Sequence, residues 1–186
     1  MLSMAKSKYL EGTAKFVVVP YYFFIFTPYL INMQKLNLPS YNFKIRKNNN
    51  NYEIFDFIRK QYVSLSPEEW VRQNFIRFLV EEKQYPQMLI AVEKSIKLNR
   101  MIRRPDIVIY DKATKAKLIV ECKAPSVKIS QKTLDQVVRY NMVLKVDFLV
   151  VTNGLAHYCI QINYLKNNYK FINEIPAFGE LSEPKK

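Results

Sequence analysis

Arg103-Arg104-Pro105-Asp106, running on through IVIYD to Asp111, and Leu118-Ile119-Val120-Glu121-Cys122-Lys123 are the two stretches on which the fold turns. Each is an apolar run of strand composition, and the charged segment KATKAK at 112–117 joins them. Asp106 opens the first run, while Glu121 and Lys123 interrupt the end of the second. Strand side chains alternate between faces, so Glu121 and Lys123 project together and Cys122 points the other way. A hairpin through 112–117 returns the chain so that Asp106 lies opposite Glu121 or Lys123. Two carboxylates and an ammonium then meet on one face of a sheet, where charge is expensive unless paired or bound to a metal.

The neighbouring segments extend this pattern in both directions. Ser66-Pro67-Glu68-Glu69 reads as a helix start, with Ser66 as N-cap, proline at the first position and Glu69 closing a capping box. Val71, Phe75, Phe78 and Leu79 supply the apolar stripe, and the helix should end before Pro86. A strand is expected at 88–96, ahead of those at 106–111 and 118–123. A helix at about 131–144 follows, then a strand at 146–152, a turn at Asn153-Gly154 and a last strand near 157–162. Upstream, Phe43 and Ile45 alternate with Lys44 and Arg46. After Asn48–Asn51, Tyr52 and Ile54 alternate again, predicting a β-hairpin. From Lys166 the chain reads as a polar, irregular tail.

Composition removes several chemistries. The chain has 186 residues, 49% of them hydrophobic and 24% charged, enough for one domain with a buried core. Three glycines, Gly12, Gly154 and Gly179, cannot build a phosphate-binding GxxxxGK[ST] loop or a GxGxxG turn, so no nucleotide is expected. The single histidine, His157, excludes HExxH and His-rich metal sites and reads as structural. Cys122 and Cys159 form no CxxC and sit in apolar runs, as buried thiols of a reducing compartment do. The net charge of +13 favours a polyanionic partner, nucleic acid or an acidic membrane surface.

Residues 16–31, FVVVPYYFFIFTPYLI, form an almost uncharged run broken by Pro20 and Pro28. It is short for a spanning helix, which takes about 20 residues. A signal peptide would also have a basic start and apolar centre, but no A-x-A-like site follows. The preferred reading makes Met33 the start and the preceding 32 residues an upstream extension. The expected organisation is therefore a doubtful leader at 1–32, a hairpin region at 33–64, a core at 65–165 and a tail at 166–186.

Pro105-Asp106 and Glu121-Cys122-Lys123, fifteen residues apart at strand ends, resemble the PD-(D/E)xK nuclease motif. Beyond that motif, residues from about Leu36 to Asn163 resemble the N-terminal nuclease domain of type I restriction enzyme R subunits, in its stand-alone form. SPEEWVRQNFIRFL, RRPDIVIYD, LIVECKAP, DQVVRYNMVLKVDFLVVTNG and HYCIQI carry the likeness. It implies an α/β fold with a restriction-endonuclease-like core, ordered α-β-β-β-α-β, whose mixed sheet is flanked by helices. It also implies a cytoplasmic, metal-dependent DNA endonuclease. Asp106, Glu121 and the backbone carbonyl of Cys122 would hold Mg²⁺ (Mn²⁺ as a substitute) through hard oxygen ligands. Lys123 would position the attacking water or steady charge on phosphorus.

Glu68, on the helix preceding the strands, projects from the inward stripe and matches the family's E-x-x-[VT]-R spacing to Arg72. It is the preferred additional acid, with Glu69 as the fallback. Gln136 and Tyr140 share a helix face and match a Q-x-x-x-Y element that supports the site and contacts DNA. Lys94, Lys97, Arg100, Arg103 and Arg104 lead into Asp106, and Lys128 and Lys132 follow the third strand, a charge pattern suited to phosphates. Type I R subunits carry a helicase motor, and this sequence has no P-loop, so translocation is not carried over. A homodimer or a larger nuclease complex is open. The alternatives are a non-catalytic nucleic-acid-binding module of the same fold, and a basic protein anchored to a membrane by residues 16–31.

Overall fold

The computed structural model describes residues 33–98 and 101–181. Ile45–Asn48 (β1), Asn51–Asp56 (β2) and Gln61–Ser64 (β3) make an antiparallel sheet of their own. The expected hairpin is present, with Ile45 opposite Ile54, and β3 adds a third strand that the sequence reading missed. Asp56 builds the extra turn. Its Oδ1 accepts the amide N–H groups of Ile58 and Arg59, each at 2.8 Å, and Lys60 adopts a left-handed φ of 56°.

Helix α1 spans Pro67–Glu81 and ends before Pro86 as its spacing predicts. Ser66 caps it, its Oγ accepting the Glu69 N–H at 3.0 Å. Only half of the capping box forms, because the Ser66 N–H donates to Ser64 and the Glu69 carboxylate turns to basic partners. Ser66→Ala should cost about 1 kcal/mol, read as a lower urea midpoint, with Ser66→Asp losing far less.

Gln87–Leu89 is a 3-10 turn before the short strand β4 (Ile90–Val92). The expected strand at 88–96 is broken there, since Glu93 takes a left-handed φ of 48° and donates its N–H to the Asp106 carbonyl. Ile96–Leu98 (β5) and Met101–Arg103 (β6) pair as a separate small hairpin. Ile107–Tyr110 (β7), Ala116–Cys122 (β8), helix α2 (Gln131–Leu144), Phe148–Thr152 (β9) and His157–Asn163 (β10) follow. A strand at Asn168–Ile172 (β11) replaces the irregular tail expected after Lys166. The alternation Tyr169-Lys170-Phe171-Ile172 is a strand pattern, and beyond it Ile175 and Leu181 are buried.

The main sheet runs β11-β10-β9-β8-β7-β4. Its one parallel pair, β8 with β9, is bridged by α2 as a crossover requires. Val71, Phe75, Ile76 and Leu79 of α1 cover one face, against Ile107, Ile109, Leu118, Val120 and Val150. Leu134 and Val137 of α2 cover the other, against Val108, Ile119, Leu149, Val151 and Ile160. Each fully buried side chain of this size contributes about 1.5–3 kcal/mol. The result is a mixed α/β sandwich with strand ends open between the helices. Among the described residues no helix is long and apolar enough to cross a membrane. The run 16–31 lies outside the described residues, as does the question of Met1 against Met33.

Candidate active site

Asp106 stands just before β7, buried at 8% exposure. The register Ile107↔Val120 makes Glu121, not Lys123, its counterpart on β8. Strand geometry alone does not fix its carboxylate; two hydrogen bonds do. Oδ2 accepts the Cys122 backbone N–H at 2.7 Å, and Oδ1 accepts from Arg72 Nη2 at 2.6 Å. Lys123 Nζ lies 4.0 Å from Glu121 Oε2. Burial, with the Asp106 charge adding to it, pushes the Glu121 carboxyl up to about 7, and Lys123 opposes only part of this. Asp106 therefore meets Glu121 and Lys123, from a separate stretch of the sequence, at one end of the sheet.

The start of α1 faces the same place. Its two acids divide differently from the expected inward projection of Glu68. The Glu68 side chain is 43% exposed, with Oε1 3.3 Å from Arg72 Nη2, whereas Glu69 is buried. Glu69 binds Arg72, accepts from Gln73 Nε2 at 2.8 Å and pairs with Arg59 Nη2 at 2.9 Å. Behind it Asp56 Oδ2 receives Arg59 Nε at 2.5 Å and Gln73 Nε2 at 2.9 Å, and Arg59 also reaches Glu93. Glu68 thus borders the open site, and Glu69 belongs to an interior network.

Arg72 is the functional residue the sequence reading passed over, using it only to mark a spacing. Burial works against its charge, yet Asp106 and Glu69 outweigh that and hold its guanidinium above the ordinary value. Its planar fork is what three carboxylates on two elements require. An arginine next to Val71, inside the apolar stripe, was the available signal. Arg72 Nε and Gln73 Oε1 are buried without a hydrogen-bond partner, which lowers the net worth of the network.

The remaining site residues separate clearly. Lys94, Lys128 and Lys132 are exposed. Arg104 is exposed too, but its Nε donates to the Glu93 carbonyl at 2.8 Å and its Nη2 lies 3.5 Å from the Glu93 carboxylate. Gln136 and Tyr140 lie in α2, Arg103 in β6 and Lys97 in β5; their side chains, like Arg100, lie outside the described residues. His157 has the structural role expected of it. Its Nδ1 meets Thr152 Oγ1 at 2.8 Å and its Nε2 meets the Asn37 carbonyl at 3.1 Å, and burial lowers its pKa. Burial also raises the thiols of Cys122 and Cys159, the latter to about 12, so neither is a ready nucleophile.

No cluster of three or more His, Cys, Asp or Glu side chains forms a metal-holding group among the described residues. A hard divalent cation such as Mg²⁺ keeps several waters and takes one or two carboxylates plus phosphate oxygens. Asp106 and Glu121 fit that donor chemistry. Glu121 resists ionisation beside Asp106, a conflict that an added positive charge relieves.

An aspartate at the mouth of one strand and Glu-x-Lys closing the next, on a mixed sheet between two helices, is the arrangement of the PD-(D/E)xK class. Residues 67–176, more than half of the chain, match the family described as type I restriction enzyme R protein N terminus. The chain belongs to that family. Among solved structures, a fragment described as an HsdR subunit of a type I restriction enzyme from Vibrio vulnificus YJ016 matches at 18% identity and a TM-score of 0.46. The match covers 63% of this chain and 24% of that one, so this chain spans about a quarter of that chain's length. No curated protein matches.

Proposed function

We propose that this protein is a Mg²⁺-dependent DNA endonuclease of restriction-endonuclease-like core, acting in the cytoplasm. The observation that supports this most is the meeting of Asp106, Glu121 and Lys123 at one open sheet end. Asp106, with Glu121 and the Cys122 carbonyl, would hold the ion, which supplies a Lewis acid to the scissile phosphate and a more acidic water. Arg72 and the Cys122 N–H fix the Asp106 carboxylate, so its remaining lone pairs are preorganised. Lys123, one-third exposed, orients the attacking water or balances charge on the phosphoryl oxygens. Glu68 borders the site as an additional acid, and Lys128 and Lys132 offer phosphate contacts. Gln136 and Tyr140 retain their proposed supporting role from α2, as Arg103 and Arg104 do on the approach to Asp106. A homodimer or larger complex would serve cuts on two strands.

The test is incubation of purified protein with plasmid, branched and single-stranded DNA in Mg²⁺ or Mn²⁺. Wild type should cut at least one substrate, and Asp106→Ala should lose cleavage by about a hundredfold to a thousandfold, the scale of a lost electrostatic stabiliser. Identical behaviour of the two proteins on every substrate leaves only a nucleic-acid-binding module of this fold.

A further inference from the structure

Beside the acids, the sheet carries aromatic rings that the described residues leave partly exposed. Tyr158 is 36% exposed, Tyr169 43% and Phe171 48%. The ladder fixes where they stand. Glu121 pairs with Val151 and Val151 with Tyr158, so Tyr158 lies on the Glu121 row, two strands away, at about 10 Å. In the adjacent rows Ile160 pairs with Phe171 and Ile162 with Tyr169. The rings of Tyr169 and Phe171 meet edge to face at 6.1 Å between centroids. Strand alternation places Tyr158, Phe171 and Glu121 on the face that α2 covers. Leu134 and Val137 of that helix bury Ile160 and Leu149 but leave these rings partly exposed. Between the rings and the start of α2 lies a groove of about 480 Å³, bounded by Gln131 and Leu134 on the helix and by Tyr158 and Phe171 on the sheet.

Exposed, clustered aromatic surface calls for an occupant. On this basic face a second copy of the chain is disfavoured by charge, since each copy carries +13. The same charge, with exposed Lys128 and Lys132 near the helix start, suits a polyanion that also has flat apolar faces. A nucleic acid strand with unpaired bases is such a ligand. A duplex is not, because its base faces are already stacked on one another. We infer that Tyr158 and Phe171 form a stacking subsite for unpaired nucleobases, so that the strand cut at Asp106 and Glu121 is single-stranded beside the scissile phosphate. This substrate class rests on the nuclease reading above, but the subsite can be tested without cleavage.

Fluorescence anisotropy in EDTA, with fluorescein-labelled oligo(dT) and a labelled hairpin duplex as probes, separates the two. Tyr158→Ala and Phe171→Ala should each weaken oligo(dT) binding about fivefold or more, the scale of one lost base–aromatic stack. Tyr158→Phe and Phe171→Tyr should restore it. Duplex affinity and the slope of log K against log[salt] should stay unchanged, since no phosphate contact is removed. If no substrate is ever cut while the ring variants still lose single-strand affinity, the nuclease reading fails and the subsite stands. The subsite is overturned by unaltered oligo(dT) binding in both alanine variants, by equal losses on duplex and single strand, or by sedimentation showing that the variants only turn a dimer into monomers.

Discussion

Arg72→Ala should lower the unfolding free energy by about 3–5 kcal/mol, the penalty for leaving a buried carboxylate without its cation. Asp106 would be stranded outright and Glu69 would keep Arg59 and Gln73, both acidic residues being nine-tenths buried or more. Against a typical domain stability of about 5–15 kcal/mol, that is a large share. Urea unfolding followed by tryptophan fluorescence is a suitable measurement, because the single tryptophan, Trp70, lies on the same helix. Arg72→Lys should recover only part of the loss, since a point ammonium cannot serve Glu69 and Asp106 with a planar fork. A loss under about 1 kcal/mol would mean that solvent already reaches these pairs and that the network is only a surface feature.

Glu121→Gln should do the opposite to stability while removing cleavage. The Glu121 carboxyl rises from 4.5 to about 7 on folding, so the folded protein binds that proton more tightly than the unfolded chain. Its contribution is fully present below pH 4.5 and is lost as pH climbs through about 7. Each tenfold in proton affinity is about 1.4 kcal/mol, giving about 3 kcal/mol lost by pH 8, lowered to roughly 2 by partial exposure. The variant should therefore match wild type near pH 4.5 and exceed it by about 2 kcal/mol at pH 8 without divalent ions. Adding Mg²⁺ at pH 8 should raise the melting temperature of wild type and leave Glu121→Gln unmoved. Equal stabilisation of both proteins by Mg²⁺ would show that the ion binds elsewhere.

Much of this site was readable from residues alone. Period-two alternation located β7 and β8, and parity placed Glu121 and Lys123 together. The apolar stripe located α1, and the Asn153-Gly154 turn located the β9–β10 hairpin, where Gly154 takes a left-handed φ of 80°. What stayed hidden depends on distant partners. Whether Glu68 or Glu69 turns inward is decided by Arg59 and Gln73, whose approach no helical periodicity encodes. The break at Glu93 comes from its backbone bond to Asp106 and its ion pair with Arg59. Strand β11 was lost because Asn167, Asn168 and Lys170 made the segment look solvated, although Tyr169, Phe171 and Ile172 carry the strand pattern. A short polar strand of this kind is stabilised by the edge it joins, and that edge is a tertiary fact.

The family match opens at Pro67, yet Arg59, which holds Glu69 in place, and Asp56, which anchors Arg59, come from the turn after β2 and from the end of that strand. Kinship and foldability accordingly have different borders in this molecule. An excised piece beginning where the likeness begins would keep every acid of the reaction centre and forfeit the scaffolding that aims one of them, through Arg72, at its task.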